Sequence, residues 1–384
     1  MIDPEMIDPE TATPTLDALL VRVSRELLAE TAALVARGLS SRASVLVLGG
    51  IRLQAEAEQL TLSATDMEIS LRASISADVA TAGQVVVPGR LLLDIARVLP
   101  AETAVLEYVP EESVLTIESG AARYRIHTYP AEDFPTLPDI ETLTLRPVER
   151  AALVETIARV GRSASRDESR PVLTGILVRF EADKIVMAAT DSYRLAVKET
   201  PCASPLEDVE AIIPARALQE LVRIASGAEE VQLGMHENQV VFGVGSAWLT
   251  SRRIDGQFPN YRQLLPERFE HELVLAREEL LDVVRRMGLL AQRNSPLRLR
   301  FSQGELTVSA QTQDVGEGRE SLPVPYHAAE PMEIGFNAEF LRDGLDSIDS
   351  PSVRFKLISP LRPAVLEGET PDYTYLIMPI RLAG

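Results

Sequence analysis

Apolar residues recur along the chain at two alternating periods. Over 23–35 and 87–99 they stand at i, i+3, i+4 and i+7, with Leu28, Leu34 and Val35 of the first stretch answered by Leu92, Val98 and Leu99 of the second. That spacing predicts amphipathic helices. After each helix come short alternating runs: Ile51-Arg-Leu-Gln-Ala, Leu60-Thr-Leu-Ser-Ala, Val114-Leu-Thr-Ile and Arg123-Tyr-Arg-Ile-His-Thr. Asp, Glu, Gly and Ser separate them, and period-two alternation predicts antiparallel strands with one solvated face. Ser24 stands at a helix-cap position, and Pro88 and Pro214 at first-turn positions.

The pattern then repeats. Val23-Ser-Arg-Glu-Leu-Leu28-Ala-Glu30-Thr31 matches Val148-Glu-Arg-Ala-Ala-Leu153-Val-Glu155-Thr156 at an offset of 125. The same offset carries Val47-Leu-Gly-Gly50-Ile51 onto Val172-Leu-Thr-Gly175-Ile176, and Thr65-Asp66 onto Thr190-Asp191. Ile213-Pro214-Ala-Arg216 follows Val87-Pro88-Gly-Arg90 at 126, and Phe258-Pro259 follows Phe134-Pro135 at 124. A third, more diverged copy carries Arg277-Glu-Glu-Leu-Leu281, Arg300-Phe301 with Leu306-Thr-Val308, and Phe336-Asn-Ala-Glu-Phe-Leu341. Self-similarity at a near-constant period marks a duplicated unit. It predicts three domains, at 20–143, 144–270 and 271–384, each of two helix-plus-antiparallel-strand half-repeats. The fold class is therefore α+β, with helices on one face of antiparallel sheets. Residues 1–19, which open with Met-Ile-Asp-Pro-Glu twice, show no apolar period and are expected to be a disordered extension or an appended remnant.

Composition bounds the function. With 384 residues, 46% of them hydrophobic, the chain is globular and holds two to three domains at about 100–200 residues each. The single cysteine, Cys202, excludes an internal disulfide framework and multi-cysteine metal sites and fits a reducing compartment. The longest uncharged apolar run lies near 43–51, far short of the ~20 residues of a membrane helix, and no signal segment is expected. A cytoplasmic protein with no membrane partner follows. The net charge of −19 argues against ordinary affinity for nucleic acid. It is unevenly spread, however. The helix windows 24–37, 88–99, 148–163, 214–225, 277–293 and 337–348 hold 14 basic and 12 acidic residues, against 24 and 45 elsewhere. Two readings stand: solvated helix faces with i,i+4 pairs, or a helix-lined surface kept less negative because it passes phosphates.

No catalytic constellation emerges. His127, His236, His271 and His327 are scattered, without a metal-ligand neighbour at i+3 or i+4. Cys202 sits in a polar loop with no histidine near in sequence, and Gly49-Gly50 and Gly243-Val-Gly245 lack a phosphate-loop lysine. Asp66 and Asp191, equivalent positions of two copies, read as turn or cap groups rather than paired acids, and Trp248 as core. No metal, cofactor or enzymatic activity is expected. Three classes stay open: a protein whose helix-lined surface passes phosphates, a repeat-built enzyme whose carboxylates only look like turns, and a β-rich interaction scaffold.

The three-fold repeat, together with Thr190-Asp191-Ser-Tyr-Arg194-Leu195-Ala, Phe258-Pro259-Asn-Tyr261 and Tyr375-Leu-Ile-Met378-Pro379-Ile-Arg381-Leu382, resembles the bacterial sliding-clamp family, the beta subunit of DNA polymerase III. The likeness runs from about Val21 to Leu382. It implies a head-to-tail homodimeric ring, nucleoid-associated in the cytoplasm, that encircles duplex DNA without reading its sequence. It also implies a cleft between domains 2 and 3 for clamp-binding peptides of the replicative DNA polymerase alpha subunit, the clamp loader, and repair and translesion polymerases.

Carried onto this sequence, the resemblance places the peptide cleft at Leu173, Thr190, Ser192, Tyr193, Arg194, Leu195, Pro259, Leu264, Leu361, Pro363, Leu376, Ile377, Met378, Pro379, Ile380, Arg381 and Leu382. In that reading Arg194 and Arg381 orient peptide groups and Met378 adapts to apolar side chains. Read as residues alone, Leu376–Ile380 is also a buried final strand. The same resemblance assigns DNA contacts to Arg42 and Arg170, and the dimer interface to Tyr124 and Ile126 on an edge strand and Leu289 and Leu290 in a third-domain helix. Ser192-Tyr193 stands in place of a Gly-His pair, Gln263 in place of an arginine and Pro171-Val172 in place of an aromatic pair, departures that bear on peptide preference and DNA contact.

Overall fold

A computed structural model of the chain describes residues 18–40, 45–138, 140–202, 209–236, 238–291, 295–313 and 315–382. The six expected helices are present as α1 (Arg25–Val35), α2 (Gly89–Val98), α3 (Arg150–Val160), α5 (Ala215–Ile224), α6 (Arg277–Gly288) and α7 (Ala338–Asp346); a single turn, α4 (Pro171–Thr174), was not expected. Ser24 caps α1, its hydroxyl accepting the Leu27 N–H. Pro88 and Pro214 stand one residue before their helices instead of in the first turn. Each ends a strand, and its ψ, 110° and 128°, keeps it extended.

The chain divides into two compact units, 1–143 with 241–251, and 144–240 with 252–384. The first holds β1 (Leu19–Ser24), β2 (Gly50–Glu56), β3 (Gln59–Thr65), β4 (Ile69–Ser76), β5 (Asp78–Thr81), β6 (Gly83–Pro88), β7 (Thr103–Val109), β8 (Val114–Ser119) and β9 (Ala122–His127). One sheet runs β5-β1-β7-β8-β9 and leaves β9 at its edge; a second runs β6-β2-β3-β4. Leu28, Ala32 and Val35 of α1 and Leu92, Ile95 and Ala96 of α2 pack with Leu53, Leu62, Leu106 and Ile117 of the strands in one core. Leu19 is fully buried at the start of β1, so the last residue of the expected tail belongs to the fold; residues 1–17 lie outside the described residues, as does Arg42.

The second unit holds β10 (Arg146–Glu149), β11 (Gly175–Glu181), β12 (Lys184–Thr190), β13 (Arg194–Pro201), β14 (Val209–Pro214) and β15 (Glu230–His236). Residues 241–251, counted with the first unit, carry most of β16 (Gln239–Val244) and β17 (Ala247–Arg252), and β17 pairs with β4. Trp248 of β17 is half-buried rather than core. Its ring lies over Gly243, where a Cβ would meet it at 2.5 Å, so the strand tolerates no side chain beneath the indole. The rest of the second unit is β18 (His271–Ala276), β19 (Leu297–Ser302), β20 (Glu305–Thr312), β21 (Gly316–Pro323), β22 (Met332–Phe336), β23 (Ser352–Leu357), β24 (Ala364–Glu367) and β25 (Tyr373–Ile377). Its large sheet runs β14-β11-β12-β13-β25-β24-β23-β18, and a four-stranded sheet runs β21-β20-β19-β22, with β21 at an edge.

The repeat is visible atom by atom. Thr65 Oγ1 donates to the Ile69 carbonyl and accepts the Met67 N–H, while Asp66 Oδ1 accepts the Glu68 and Ile69 N–H groups. At the equivalent positions Thr190 Oγ1 donates to the Arg194 carbonyl and accepts the Ser192 N–H, and Asp191 Oδ1 accepts from Tyr193 and Arg194. Even the left-handed residue recurs, Met67 at φ 77° and Ser192 at φ 78°. Asp66 and Asp191 are turn groups, as the sequence indicates.

Candidate functional site

The seam between β13 and β25 is what gathers the site. Arg194 pairs with Ile377, Leu195 with Leu376 and Lys198 with Tyr373, so the Thr190–Leu195 turn meets the C-terminal motif although nearly half the chain separates them in sequence. Alternation then splits the strand residues between two faces. On one face Leu195 and Leu376 join Leu177, Ile212, Phe258 and Tyr261 in an apolar cluster. Phe258 and Tyr261 thereby anchor the loop that presents Pro259 and Leu264 at the surface. On the other face Arg194 and Tyr375 turn inward toward α7.

Where the strands end, apolar side chains are left in solvent: Tyr193 is 62% exposed, Leu361 60%, Leu264 51% and Met378 40%. The Met378 N–H donates to the Tyr193 carbonyl at 2.8 Å, and Ala364 pairs with Ile377, which sets Pro363 beside Met378. The sheet ladder stops at Ile377 because Pro379 has no N–H to extend it. The chain then crosses β22, the Ile380 N–H donating to the Gly335 carbonyl at 2.8 Å and Leu382 packing over Gly335. Leu376 and Ile377 are thus buried strand, whereas Met378 and Arg381 are exposed and Pro379, Ile380 and Leu382 half-buried. Leu173 is half-buried in α4.

Arg194 lies elsewhere than expected. It is 6% exposed, and its donors reach Asp343 Oδ2 at 2.7 Å, Asp191 Oδ2 at 3.1 Å and the Arg162 carbonyl at 2.5 Å, with the guanidinium carbon 4.2 Å from the Phe340 ring centre. Burial opposes its charge, but Tyr375, Asp343 and Asp191 outweigh burial and hold its pKa above the usual arginine value. Those donors are committed inside the protein, so the role of orienting a ligand directly does not fit this side chain; a positional one does. Asp343, Phe340 and Arg162 are the residues that sequence reasoning missed. The one signal for them is that position 194 is arginine where the first copy has Ile69.

Arg170 is half-exposed, its Nε donating to Asp167 at 3.0 Å and its NH1 to Ser192 Oγ at 3.0 Å. The loop expected to meet DNA therefore touches the turn expected to meet peptide. At the expected interface, Tyr124 is half-buried on the edge strand β9, but Ile126 is 6% exposed and belongs to the core. Leu289 and Leu290 follow α6 instead of lying in it, since the helix ends at Gly288. Leu289 is 84% exposed, and Leu290 reaches Gly318 of the edge strand β21.

Elsewhere, Cys202 is buried, and burial raises its thiol pKa, which makes it a poor nucleophile. Among the described residues no three His, Cys, Asp or Glu side chains are grouped to hold a metal, and no helix is long and apolar enough to cross a membrane. A cavity of about 530 Å³, lined by Arg179, Glu210, Arg253, Asp255, Tyr261 and neighbours, shares only Pro259 with the expected cleft.

Three family models match the chain: the N-terminal, central and C-terminal domains of the DNA polymerase III beta subunit, over residues 19–138, 147–260 and 262–381. The beta sliding clamp of Streptomyces coelicolor is 35% identical over 378 residues, covering 95% of this chain and all of that protein. The beta sliding clamp homolog GriR of Streptomyces muensis is 32% identical, covering 94% of this chain and 98% of that one. Among solved structures, the C. crescentus beta sliding clamp with bound PEG superposes with a TM-score of 0.90 at 28% identity, covering 96% of this chain and 100% of that chain. The Pseudomonas aeruginosa sliding clamp bound to griselimycin gives 0.86 at 28% identity, covering 95% and 100%.

Proposed function

The chain belongs to the DNA polymerase III beta subunit family, and from that premise we propose that it is a DNA sliding clamp, an accessory subunit without catalysis of its own. In this reading two copies close head to tail around duplex DNA, and each offers a cleft to polymerases, the clamp loader and repair proteins. Three like domains, at 20–143, 144–270 and 271–384, make up each copy.

The observation that carries the ring is a matter of strand edges. β4 pairs with β17, and the equivalent β13 pairs with β25. The third-copy equivalent of β4 and β13 is β21, and the first-copy equivalent of β17 and β25 is β9; both stand at sheet edges. An unpaired edge invites a partner strand. A second chain supplies β9 for β21 and β21 for β9, and the two pairings close the assembly with Leu289 and Tyr124 nearby. A closed ring holds DNA by topology and needs only weak phosphate contacts, which reconciles a net charge of −19 with a DNA role.

The cleft reading rests on Tyr193 and Met378, exposed and joined by a backbone hydrogen bond beside a proline-stiffened tail, with Leu264 and Leu361 as further exposed apolar residues on the loops expected to line it, suited to an extended, partly hydrophobic peptide. Loading the protein onto nicked circular and linear duplexes tests the whole reading. Retention on the circle with loss from linear ends is expected, and equal retention on both refutes encirclement.

A further inference from the structure

We propose that the buried Arg194–Asp343 pair is the positioning element of the peptide cleft: it holds the Tyr193–Met378 rim in place from behind, through the docking of α7 onto the β13–β25 seam. This inference rests on the cleft reading above.

The internal repeat supplies the control. The turn at 65–69 has the same hydrogen bonds and the same left-handed residue as the turn at 190–194, yet it carries Ile69, buried and apolar, where the second copy carries Arg194. The turn thus forms without an arginine. What Arg194 adds is a set of bonds to other elements: Asp343 and Phe340 on α7, and the Arg162 carbonyl after α3. α7 is held to the same seam twice more. Tyr375 Oη donates to the Phe340 carbonyl at 2.7 Å, and the Tyr375 ring fills the space over Gly344, where a Cβ would lie 2.5 Å from it.

The neighbouring residues of the seam are the rim. Tyr193 precedes Arg194, and Met378 follows Ile377, the cross-strand partner of Arg194; the Met378 N–H to Tyr193 carbonyl bond closes the ladder at that point. Without Asp343 the buried guanidinium keeps Asp191 in its own turn but loses the carboxylate that ties it to α7, so its terminal nitrogens must be resolvated or move, and the first backbone to move with them is that of Tyr193. Asp343 itself is shared: besides Arg194 it faces Arg162 at 3.8 Å and Arg342 at 3.7 Å. The helix face and the cleft therefore meet at one carboxylate.

The test measures binding of a polymerase-derived clamp-binding peptide to the full chain by calorimetry, well below the unfolding midpoint of each variant. Arg194→Ile, which installs the residue the first copy uses, and Asp343→Asn are each expected to weaken binding by about tenfold or more, and Arg194→Lys to restore most of it by keeping the charge opposite Asp343. Tyr193→Ala and Met378→Ala probe the cleft itself. If these two lose binding while Arg194→Ile and Asp343→Asn bind as wild type, the pair is only structural and the proposal fails while the cleft stands. Equal loss in Arg194→Lys and Arg194→Ile also overturns it, because the charge then plays no part. If Tyr193→Ala and Met378→Ala bind as wild type, the cleft reading falls and takes the proposal with it.

Discussion

The Arg150 guanidinium donates from Nε to the Ala225 carbonyl at 2.9 Å, joining the first turn of α3 to the end of α5 in the same repeat. The other two copies do the same. Arg25 reaches the Leu99 carbonyl after α2 at 3.2 Å, and Arg277 reaches the Ser350 carbonyl beyond α7 at 2.9 Å. The arginine repeated at the start of each domain's first helix thus ties it to the segment that follows the second: to the C-cap residue of α2 and of α5, where a cation is favoured, and to a carbonyl four residues beyond α7. Replacing Arg150 by Ala should lower stability by about 1–3 kcal/mol, the range for a charged hydrogen bond to a half-buried carbonyl. A reduced urea midpoint with unchanged ligand affinity is the expected result.

That tie shows how far the sequence was legible. The helices, the strands, the repeat and the Thr-Asp turns follow from periodicity and self-comparison, because each is a local pattern copied with its spacing. The arginine bias of the helices divides in two once structure is known: Arg25, Arg150 and Arg277 serve their own domains, and Arg159, Arg162, Arg285 and Arg286 bind nearby acids. Counting charges along helix windows cannot separate these from arginines left for a ligand. The proposed cleft was reached only through resemblance, since β13 and β25 are brought together by the topology of an eight-stranded sheet. The inward turn of Arg194 and the burial of Ile126 depend on which face each strand presents, which the residues alone left open.

Arg90 and Arg97 are the exposed arginines of α2, seven residues apart and so on one helix face. If α2 faces the duplex, each supplies a phosphate contact. Arg90→Gln and Arg97→Gln should each reduce the slope of log K against log salt by about 1, equally for all DNA sequences. Fluorescence anisotropy with a labelled duplex over a salt series measures this, and an unchanged slope excludes α2 from the DNA surface.

Lys198 and Asp372 give the second unit an acid-sensitive joint. Lys198 Nζ lies 2.5 Å from Asp372 and 3.3 Å from Glu155, with the lysine side chain only 7% exposed. Burial pushes the Asp372 carboxyl up, but the hydrogen bonds from Lys198 and Thr370 and the lysine charge outweigh it, leaving its pKa below the ordinary aspartate value. A depressed folded-state pKa means stability that is present above the unfolded value of about 4 and lost as pH falls through the folded one. Asp372→Asn should therefore lower the urea midpoint at pH 7 and leave less to lose on acidification. A wild-type acid dependence in this variant would show that the pair contributes nothing.

Leu289 and Ile126 separate association from folding. Leu289 is 84% exposed just beyond α6, where it lines a cavity of about 270 Å³ with Val284, Asn337 and Arg342. Ile126 is 6% exposed and packs in the first unit's core. A carboxylate at 289 costs the isolated chain little, because the side chain is already in water, but desolvating it unpaired in an interface is expensive. Leu289→Asp should shift the sedimentation coefficient from dimer to monomer at micromolar concentration and lower the unfolding midpoint only by what dimerisation itself contributes. Ile126→Ala should instead destabilise the fold by about 2–5 kcal/mol, the cost of a large-to-small change in a packed core. Its effect on dimerisation should then appear only through loss of folded protein. A Leu289→Asp protein that sediments as wild type would remove this surface from the ring closure, and an Ile126→Ala protein of full stability that falls apart into monomers would move the interface onto the side chain of β9 that here faces inward.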